Sequence, residues 1–192
     1  MLLLVLMGLP GQVWAEWQIK PFLGVKFGGS TNLVGDLEGA AGKVMLPVGI
    51  ATVFLGDVVG VEADLGYNPG FFQRDSTNVL SSSVTTLTGN VTVGLPRRMT
   101  EYTLRPYFVG GAGLMRARTT TRVPGVLELS RNLSAFDLGG GVTGFVTPRV
   151  GVSWDVRHFR AIQGEAGSGT TIDGGPEQLS FWRAYMALAI RY

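Results

Sequence analysis

The sequence predicts an all-β fold, an eight-stranded antiparallel up-and-down barrel. Three observations lead to it. From residue 16 onward apolar residues alternate with polar or small residues with a period of two, and no convincing 3.6-residue period appears. The connections between the alternating segments are long and short in turn. Glycine is frequent, at 29 of 192 residues, and charged residues make up only 16% of the chain, yet no apolar run is long enough for a transmembrane helix.

Period-2 segments bounded by turn residues place the eight strands. The long connections between them are rich in Gly, Ser, Thr, Asn and Asp, as exposed loops are, whereas the others are tight turns. This alternation puts the long loops at one rim and both termini at the other, and closure leaves no exposed strand edge. The predicted strands are residues 16–28, 43–55, 58–67, 83–95, 102–118, 134–146, 149–160 and 180–192.

The N-terminal residues 1–15 predict a secretory signal peptide, which leaves residues 16–192 as the barrel domain. An apolar run from Leu2 to Leu9 is followed by a Pro-Gly pair and by small residues at Val13 and Ala15, a pattern typical of a cleavage site. No Lys or Arg precedes the apolar run, so a buried N-terminal strand is the alternative interpretation.

The apolar face of the strands distinguishes a membrane barrel from a soluble carrier. The central positions of one face are apolar residues with Gly, Pro, Thr and one His, as in the last strand from Trp182 to Ile190. The opposite face carries acids and bases. A soluble carrier encloses its apolar face around a ligand, whereas a membrane barrel presents an apolar band to lipid and polar side chains to a narrow lumen. The predicted fold class is therefore an eight-stranded antiparallel up-and-down transmembrane β-barrel.

The charged residues of the inward face are expected to pair with one another. A lone buried charge costs several kcal/mol, whereas acids and bases packed in a narrow lumen can form ion pairs. The sequence therefore predicts a lumen ion-pair network made of Glu62, Asp64, Arg105, Asp137, Asp155, Arg157 and Arg183.

Aromatic residues lie near both ends of the predicted strands. A bilayer favours such girdles at its two interfaces, where an amphipathic ring contacts both lipid and water. The predicted girdle residues are Trp17, Phe54 and Tyr102 near the tight turns and Phe27, Tyr67, Phe159 and Trp182 near the long loops.

Composition excludes several kinds of site. The 16 Lys and Arg residues exceed the 14 Asp and Glu residues by only two, and the basic residues are scattered, so we expect no nucleic-acid partner. Without Cys and with one His, the chain is not expected to hold a metal or a cofactor.

One glycine pattern resembles a cofactor motif. Gly139, Gly141 and Gly144 spell GxGxxG, and Glu165 follows at a spacing found in dinucleotide folds. Pro148, however, stands where the phosphate-binding helix would have to begin. Small residues at strand bends or where the lumen narrows explain the glycines better.

His158 is the one candidate general base. Ser153 and Asp155 lie nearby in sequence, but strand geometry projects them to the side of the sheet opposite His158. The three residues therefore cannot form a catalytic relay. We expect the chain not to be an enzyme, with a lipid-modifying activity as the less favoured possibility.

The sequence resembles the small outer-membrane β-barrels of the OmpA-like or OmpX-like kind. The resemblance runs through the segments QIKPFLGVKFGG, GVEADLGYNPGFF, LRPYFVGGAGL and FDLGGGVTGFVTPRVGVSWDVRHFR to the terminal strand. In that family a last strand ending in an aromatic residue is the signal for the outer-membrane insertion machinery. The residues that match this C-terminal pattern are Tyr185, Met186, Leu188, Ile190 and Tyr192.

The resemblance also implies location and partners. It implies a monomer in the bacterial outer membrane, in contact with the bilayer and a lipopolysaccharide-type outer leaflet, with periplasmic termini and extracellular long loops. It further implies an acid-base cluster at mid-lumen, which Glu62, Asp64, Arg105, Asp155 and Arg157 match by position. The expected function is structural or surface-interacting, with a charge-plugged lumen. A narrow channel for ions or small solutes is the alternative, and a soluble lipocalin-like carrier is less favoured.

Overall fold

A computed structural model describes residues 16–31, 46–71, 79–100, 104–121, 129–164 and 179–192 of the chain. They form a closed barrel of eight antiparallel strands, in which each strand pairs with its sequence neighbours and the last pairs with the first. This confirms the predicted fold class. The strands are β1 (Glu16–Thr31), β2 (Val48–Leu55), β3 (Val59–Pro69), β4 (Val79–Gly94), β5 (Arg105–Thr121), β6 (Leu129–Phe145), β7 (Val150–Gly164) and β8 (Leu179–Arg191), and one helical turn, α1 (Arg97–Thr100), lies between β4 and β5.

Several strands extend further toward the long connections than the sequence predicts. β4 begins at Val79 instead of residue 83, and β6 begins at Leu129 instead of residue 134. The added residues include Ser81, Ser82 and Ser130, which resembles loop composition, yet these serines pair in the sheet. The prediction ended strands where the apolar alternation stopped, whereas backbone pairing continues beyond that point.

The middle of the barrel is apolar outside and polar inside. Val61 is 55% exposed while its neighbour Glu62 is 4% exposed, and the same alternation recurs on the other strands. Period-2 geometry sends successive side chains to opposite faces of the wall. We call the exposed apolar surface the apolar belt; it comprises Leu23, Val25, Ile50, Val61, Leu65, Leu87, Val91, Phe108, Leu114, Leu138, Trp154, Val156, Met186 and Leu188.

The pattern reverses at the end of the barrel that bears the long connections, which we call the loop-side section. Its outward residues are polar, as at Arg116, Asn132 and Ser134. Its inward residues form a buried apolar cluster, so this section is built like a water-soluble barrel. The apolar cluster consists of Phe71, Val84, Met115, Ala117, Leu133, Ala135, Phe159, Ala161, Leu179 and Phe181.

The opposite end, which we call the tight-turn rim, holds both ends of the barrel wall together. The Tyr192 N–H donates to the Trp17 carbonyl oxygen at 3.0 Å, and the Arg191 N–H donates to the Arg149 carbonyl oxygen at 2.8 Å. The Arg191 side chain also forms an ion pair with Glu16. The C-terminal residues are therefore fixed in the wall by β1 and by the turn between β6 and β7.

Aromatic residues lie outward near both ends of the apolar belt. Trp17 and Phe54 pack with ring centroids 5.0 Å apart near the tight-turn rim, and Phe27 and Trp182 stack at 6.4 Å near the loop-side section. Tyr67 is also exposed there.

This outward aromatic set does not include two of the predicted girdle residues, Phe159 and Tyr102. Phe159 does not belong to the girdle: it is fully buried in the apolar cluster, because its parity in β7 directs the ring into the barrel. Tyr102 lies outside the described residues, as does the predicted signal peptide. In the part of the chain that the structure describes, no helix has the length and apolarity needed to cross a membrane.

An arginine placed on the apolar belt should destabilise the inserted barrel. We expect Val61→Arg or Leu188→Arg to lower the free energy of unfolding from lipid vesicles by about 2 to 4 kcal/mol, because each puts a charge in hydrocarbon near the midplane. Denaturant titration in vesicles measures this. Ser134→Arg, on the outer surface of the loop-side section, is the control and should cost less than about 1 kcal/mol. A neutral result at Val61 would mean that the belt does not face lipid.

Candidate functional site in the barrel lumen

A buried guanidinium organises the middle of the lumen. Arg157 Nε and Nη2 donate to the two carboxylate oxygens of Asp155 at 2.8 and 2.9 Å, and Nη1 and Nη2 donate to those of Glu62 at 2.5 and 3.2 Å. Nη2 also donates to the Tyr185 hydroxyl at 2.7 Å. All four side chains are buried. Arg157 thus ties β7 to β3 and β8 across the lumen through charge-assisted hydrogen bonds.

A second guanidinium lies on the loop-side of this group. Arg183 Nη2 donates to Asp64 Oδ2 at 2.6 Å, and the guanidinium carbon lies 4.6 Å from the ring centroids of both Phe22 and Phe159 and 5.0 Å from that of Tyr185. Its charge is therefore shared between one carboxylate and three aromatic faces. Arg183 forms the junction between the charged middle and the apolar cluster above it.

We call the charged middle of the lumen the ion layer; it consists of Glu62, Asp64, Asp137, Asp155, Arg157 and Arg183. Four carboxylates face two guanidiniums. Asp137 is the least tightly held, with Oδ2 3.6 Å from Arg157 Nη1. Lys20 and Lys26 are buried on the two sides of the layer and supply two further positive charges. The buried charges of this region therefore balance.

Neutral side chains complete the ion layer. Asn90 Nδ2 donates to Glu62 Oε1 at 3.1 Å, and the Tyr107 hydroxyl donates to Asp155 Oδ2 at 2.6 Å. Asn90 and Tyr107 are not among the lumen residues predicted from the sequence. Their inward parity, in line with charged neighbours on the same face, is the signal that would have identified them.

Two glycines of β6 make room for the large side chains of the layer. A Cβ at Gly139 would lie 2.8 Å from Arg157 Cγ, and a Cβ at Gly141 would lie 2.8 Å from the Tyr107 hydroxyl oxygen. The same Cβ atoms would clash with the backbone carbonyl oxygens of Val156 and Trp154, so any larger residue would displace the backbone of β7 as well as the Arg157 stem or the Tyr107 phenol. The glycines of the GxGxxG pattern therefore serve close packing inside a strand, where no phosphate-binding helix follows.

A cavity of about 940 Å³ opens between the ion layer and the tight-turn rim. Its inward-facing walls include Gln18, Lys20, Val53, Thr92 and Tyr107. Lys20 Nζ donates to Thr143 Oγ1 at 3.3 Å and lies 4.9 Å from the Tyr107 ring centroid. From one end to the other the lumen thus contains the cavity, the ion layer and the apolar cluster.

Arg105 is not part of the mid-lumen cluster in which the sequence analysis placed it. It is the first residue of β5, so it lies at the tight-turn rim. Its Nε donates to the Leu95 carbonyl oxygen at 2.8 Å and its Nη2 to the Asp57 carbonyl oxygen at 2.6 Å. It therefore holds two turns together. The other six predicted network residues lie together in the ion layer.

Nothing in the described lumen resembles a catalytic or metal centre. Ser153 and Asp155 are buried inside the barrel, whereas His158 faces outward and packs against Trp182 with ring centroids 4.9 Å apart. Among the described residues, no three His, Asp or Glu side chains are placed to hold one metal ion.

Comparison with known proteins agrees with this architecture. The structure is similar to Neisserial surface protein A (NspA), with a TM-score of 0.65 and 11% identity over 92% of this chain and 97% of that one. It is also similar to the outer membrane protein OprG of Pseudomonas aeruginosa, with a TM-score of 0.55 and 13% identity over 95% of this chain and 98% of that one. A third similar structure is a major outer membrane protein of Thermus thermophilus, with a TM-score of 0.53 and 12% identity over 93% of this chain and 100% of that one.

No curated protein matches the sequence. The family model of the outer membrane protein beta-barrel domain matches residues 1–179. With a closed eight-stranded barrel of the same kind, the chain belongs to the outer membrane protein beta-barrel domain family.

Proposed function

We propose that this outer-membrane protein is a closed barrel that acts as a structural or surface-interaction protein, with its lumen plugged by side chains. The observation that carries the proposal is the double filling of the lumen. The ion layer spans it with hydrogen-bonded charges centred on Arg157, and the apolar cluster fills it again on the loop side. A solute would have to disrupt both to pass.

The ion layer suits a plug because its members hold one another in place. Arg157 alone engages Glu62, Asp155 and Tyr185, so moving it leaves buried carboxylates without partners. Such a loss is costly in a narrow interior of low polarity. The apolar cluster adds a dry layer that ions cross reluctantly, since hydrocarbon offers no replacement for their water shell.

A narrow channel for ions or small solutes is the second candidate. The cavity at the tight-turn rim favours it, because a space of about 940 Å³ brings solvent-sized volume up to the ion layer. The channel would require rearrangement of both the ion layer and the apolar cluster. An enzyme is less favoured, because the Ser153 hydroxyl is hydrogen-bonded to Tyr107 and Thr143 inside the barrel while His158 packs against Trp182 on the outside.

The proposed orientation places the termini in the periplasm and the long loops outside the cell, with the protein acting as a monomer. The polar outer surface of the loop-side section supports this, since that part of the wall suits water or headgroups better than hydrocarbon. The partners are then the bilayer, a lipopolysaccharide-type outer leaflet and, during assembly, the insertion machinery that reads Met186, Leu188, Ile190 and Tyr192 on the outer face and Tyr185 on the inner face.

A plugged lumen predicts that the barrel does not conduct ions. Folded protein inserted in a planar bilayer should show no discrete conductance steps, and Glu62→Ala should also stay silent because the apolar cluster still fills the lumen. Arg105→Ala, which alters the rim alone, is the matched control. A heat-dependent gel shift establishes folding in each sample. Discrete steps from the unaltered chain, growing in Glu62→Ala, would make the channel the leading function.

The ion layer predicts a large stability effect at Arg157. Arg157→Met keeps an unbranched apolar stem but leaves Glu62 and Asp155 without their guanidinium, so the free energy of unfolding should fall by about 3 to 5 kcal/mol. Denaturant titration, read by the gel shift, measures it. Arg149→Met, at an exposed turn position, should change stability by less than about 0.5 kcal/mol. If both substitutions lowered the free energy of unfolding equally, Arg157 would not be the residue that organises the plug.

The proposed role of Tyr192 predicts that its deletion affects membrane assembly far more than stability. Deleting Tyr192, which is 78% exposed, should reduce membrane assembly in cells severely but stability in micelles by less than about 1 kcal/mol. Outer-membrane fractionation measures the first and denaturant titration the second. Tyr192→Phe keeps an aromatic ring and should assemble normally. Normal assembly of the deleted chain would contradict the proposed role of the C-terminal residues.

A further inference from the structure

Three arginines face outward from the loop-side section. Arg116 and Arg118 lie on β5 and Arg160 lies on β7, and all three are exposed. Each occupies an outward position on the same alternating series as the apolar belt. On β5, Arg116 and Arg118 follow Leu114, and on β7, Arg160 follows His158. In the described strands, no Asp or Glu faces outward in this section. Among the residues that the structure describes, the outward charge beyond the belt is therefore positive and lies on β5 and β7.

Strand register places these arginines at the level where a lipid headgroup begins. Along β5, Arg116 is the first outward residue beyond the exposed belt residue Leu114. On the other side His158 lies opposite Trp182, and Arg160 follows one outward position further along β7. Two residues advance a tilted strand by about 5 Å along the membrane normal. Arg160 thus lies just beyond the interfacial aromatic residues, where phosphate groups are found.

No carboxylate of the described residues neutralises these three guanidiniums, which leaves them available to an external anion. Arg116 Nη2 has one hydrogen bond, to Ser130 Oγ at 3.5 Å, which is too long to be strong. None of the three forms an ion pair with a carboxylate of the described residues. Ser130 and Asn132 on β6 lie directly opposite Arg118 and Arg116 and add neutral donors to the same surface.

We propose that Arg116, Arg118 and Arg160 form a binding site for a lipid whose headgroup carries at least two phosphate groups. The adjoining apolar belt fixes the occupant as a lipid, because any molecule at this depth shares the surface with acyl chains. Arginine pairs with phosphate through two parallel hydrogen bonds.

The spacing of the arginines sets the size of the headgroup. By the register, the backbones at Arg116 and Arg160 lie on the order of 15 Å apart, with β6 between them. A headgroup with two separated phosphates on a sugar scaffold spans this distance better than a single phosphodiester. The site rests on the proposed orientation, which turns this section toward the outer leaflet.

Lipid binding to the full, folded chain tests the site. Native mass spectrometry from a neutral detergent, titrated with diphosphorylated lipid A, gives the dissociation constant. We expect Arg116→Gln, Arg118→Gln and Arg160→Gln combined to raise it about tenfold, which corresponds to the loss of charge-assisted phosphate contacts. The charge-matched control carries Arg97→Gln, Arg98→Gln and Arg149→Gln at the opposite rim and should bind as the unaltered chain does. The gel shift verifies folding of each.

Three results would overturn the site. If both triple variants weakened lipid binding equally, the attraction would be a general effect of charge. If dephosphorylated lipid A bound as tightly as the diphosphorylated form, the phosphates would not be recognised. If inorganic phosphate displaced the lipid at matching concentration, the site would be one for free anions. Conductance of the same samples separates this proposal from the closed barrel. If the Arg116, Arg118 and Arg160 triple variant keeps its lipid affinity and the barrel does not conduct, only the lipid site is refuted. If the barrel shows discrete conductance steps, the plug is refuted whatever the lipid affinity is.

Discussion

The absence of hydrogen-bonding partners in hydrocarbon is the constraint on which this structure depends. A backbone N–H or C=O that faces lipid has no water to bind, so each must be bonded within the protein, and a sheet satisfies this only when it closes. The pairing of β8 with β1 achieves the closure. An eight-stranded barrel has an interior just wide enough for side chains, so closure also determines that the inside is packed. The filled lumen thus follows from the need to satisfy the wall.

A packed interior then requires that every charge within it has a partner. Arg157 meets this requirement for two carboxylates and a phenol at once, and Arg183 meets it with one carboxylate and three aromatic faces. The glycines of β6 are the backbone counterpart of this arrangement, because their missing side chains leave the volume that Arg157 and Tyr107 occupy. Backbone pairing, lumen charge and glycine placement are thus consequences of one closed geometry.

The period of two in the sequence predicts most of this, because in a single-layered wall the parity of a residue decides its side. It placed Glu62 and Arg157 inside and Val61 and Leu188 outside. Parity does not give height along the barrel, and for that reason Arg105 was assigned to mid-lumen although it lies at the rim. Phe159 was assigned by its aromatic character, whereas its parity already indicated the interior. The apolar cluster was missed because the pattern inverts in the loop-side section, and a prediction with one fixed rule for both ends cannot follow that inversion.

The apolar belt also has a definite height. Together with the aromatic residues Trp182 and Tyr192 that flank it, the belt extends along β8 and just past the end of that strand, over about 25 Å along the membrane normal for a tilted strand. Polar residues bound it on the loop side, and one strand cannot tilt by itself to lengthen the belt because each strand is hydrogen-bonded to two neighbours in the closed barrel. A bilayer with a thicker hydrocarbon core would have to thin locally around the barrel, at a cost that rises with each ångström of mismatch. The height of the belt therefore sets which thickness of the hydrocarbon core suits the barrel, and this barrel is matched to a thin membrane.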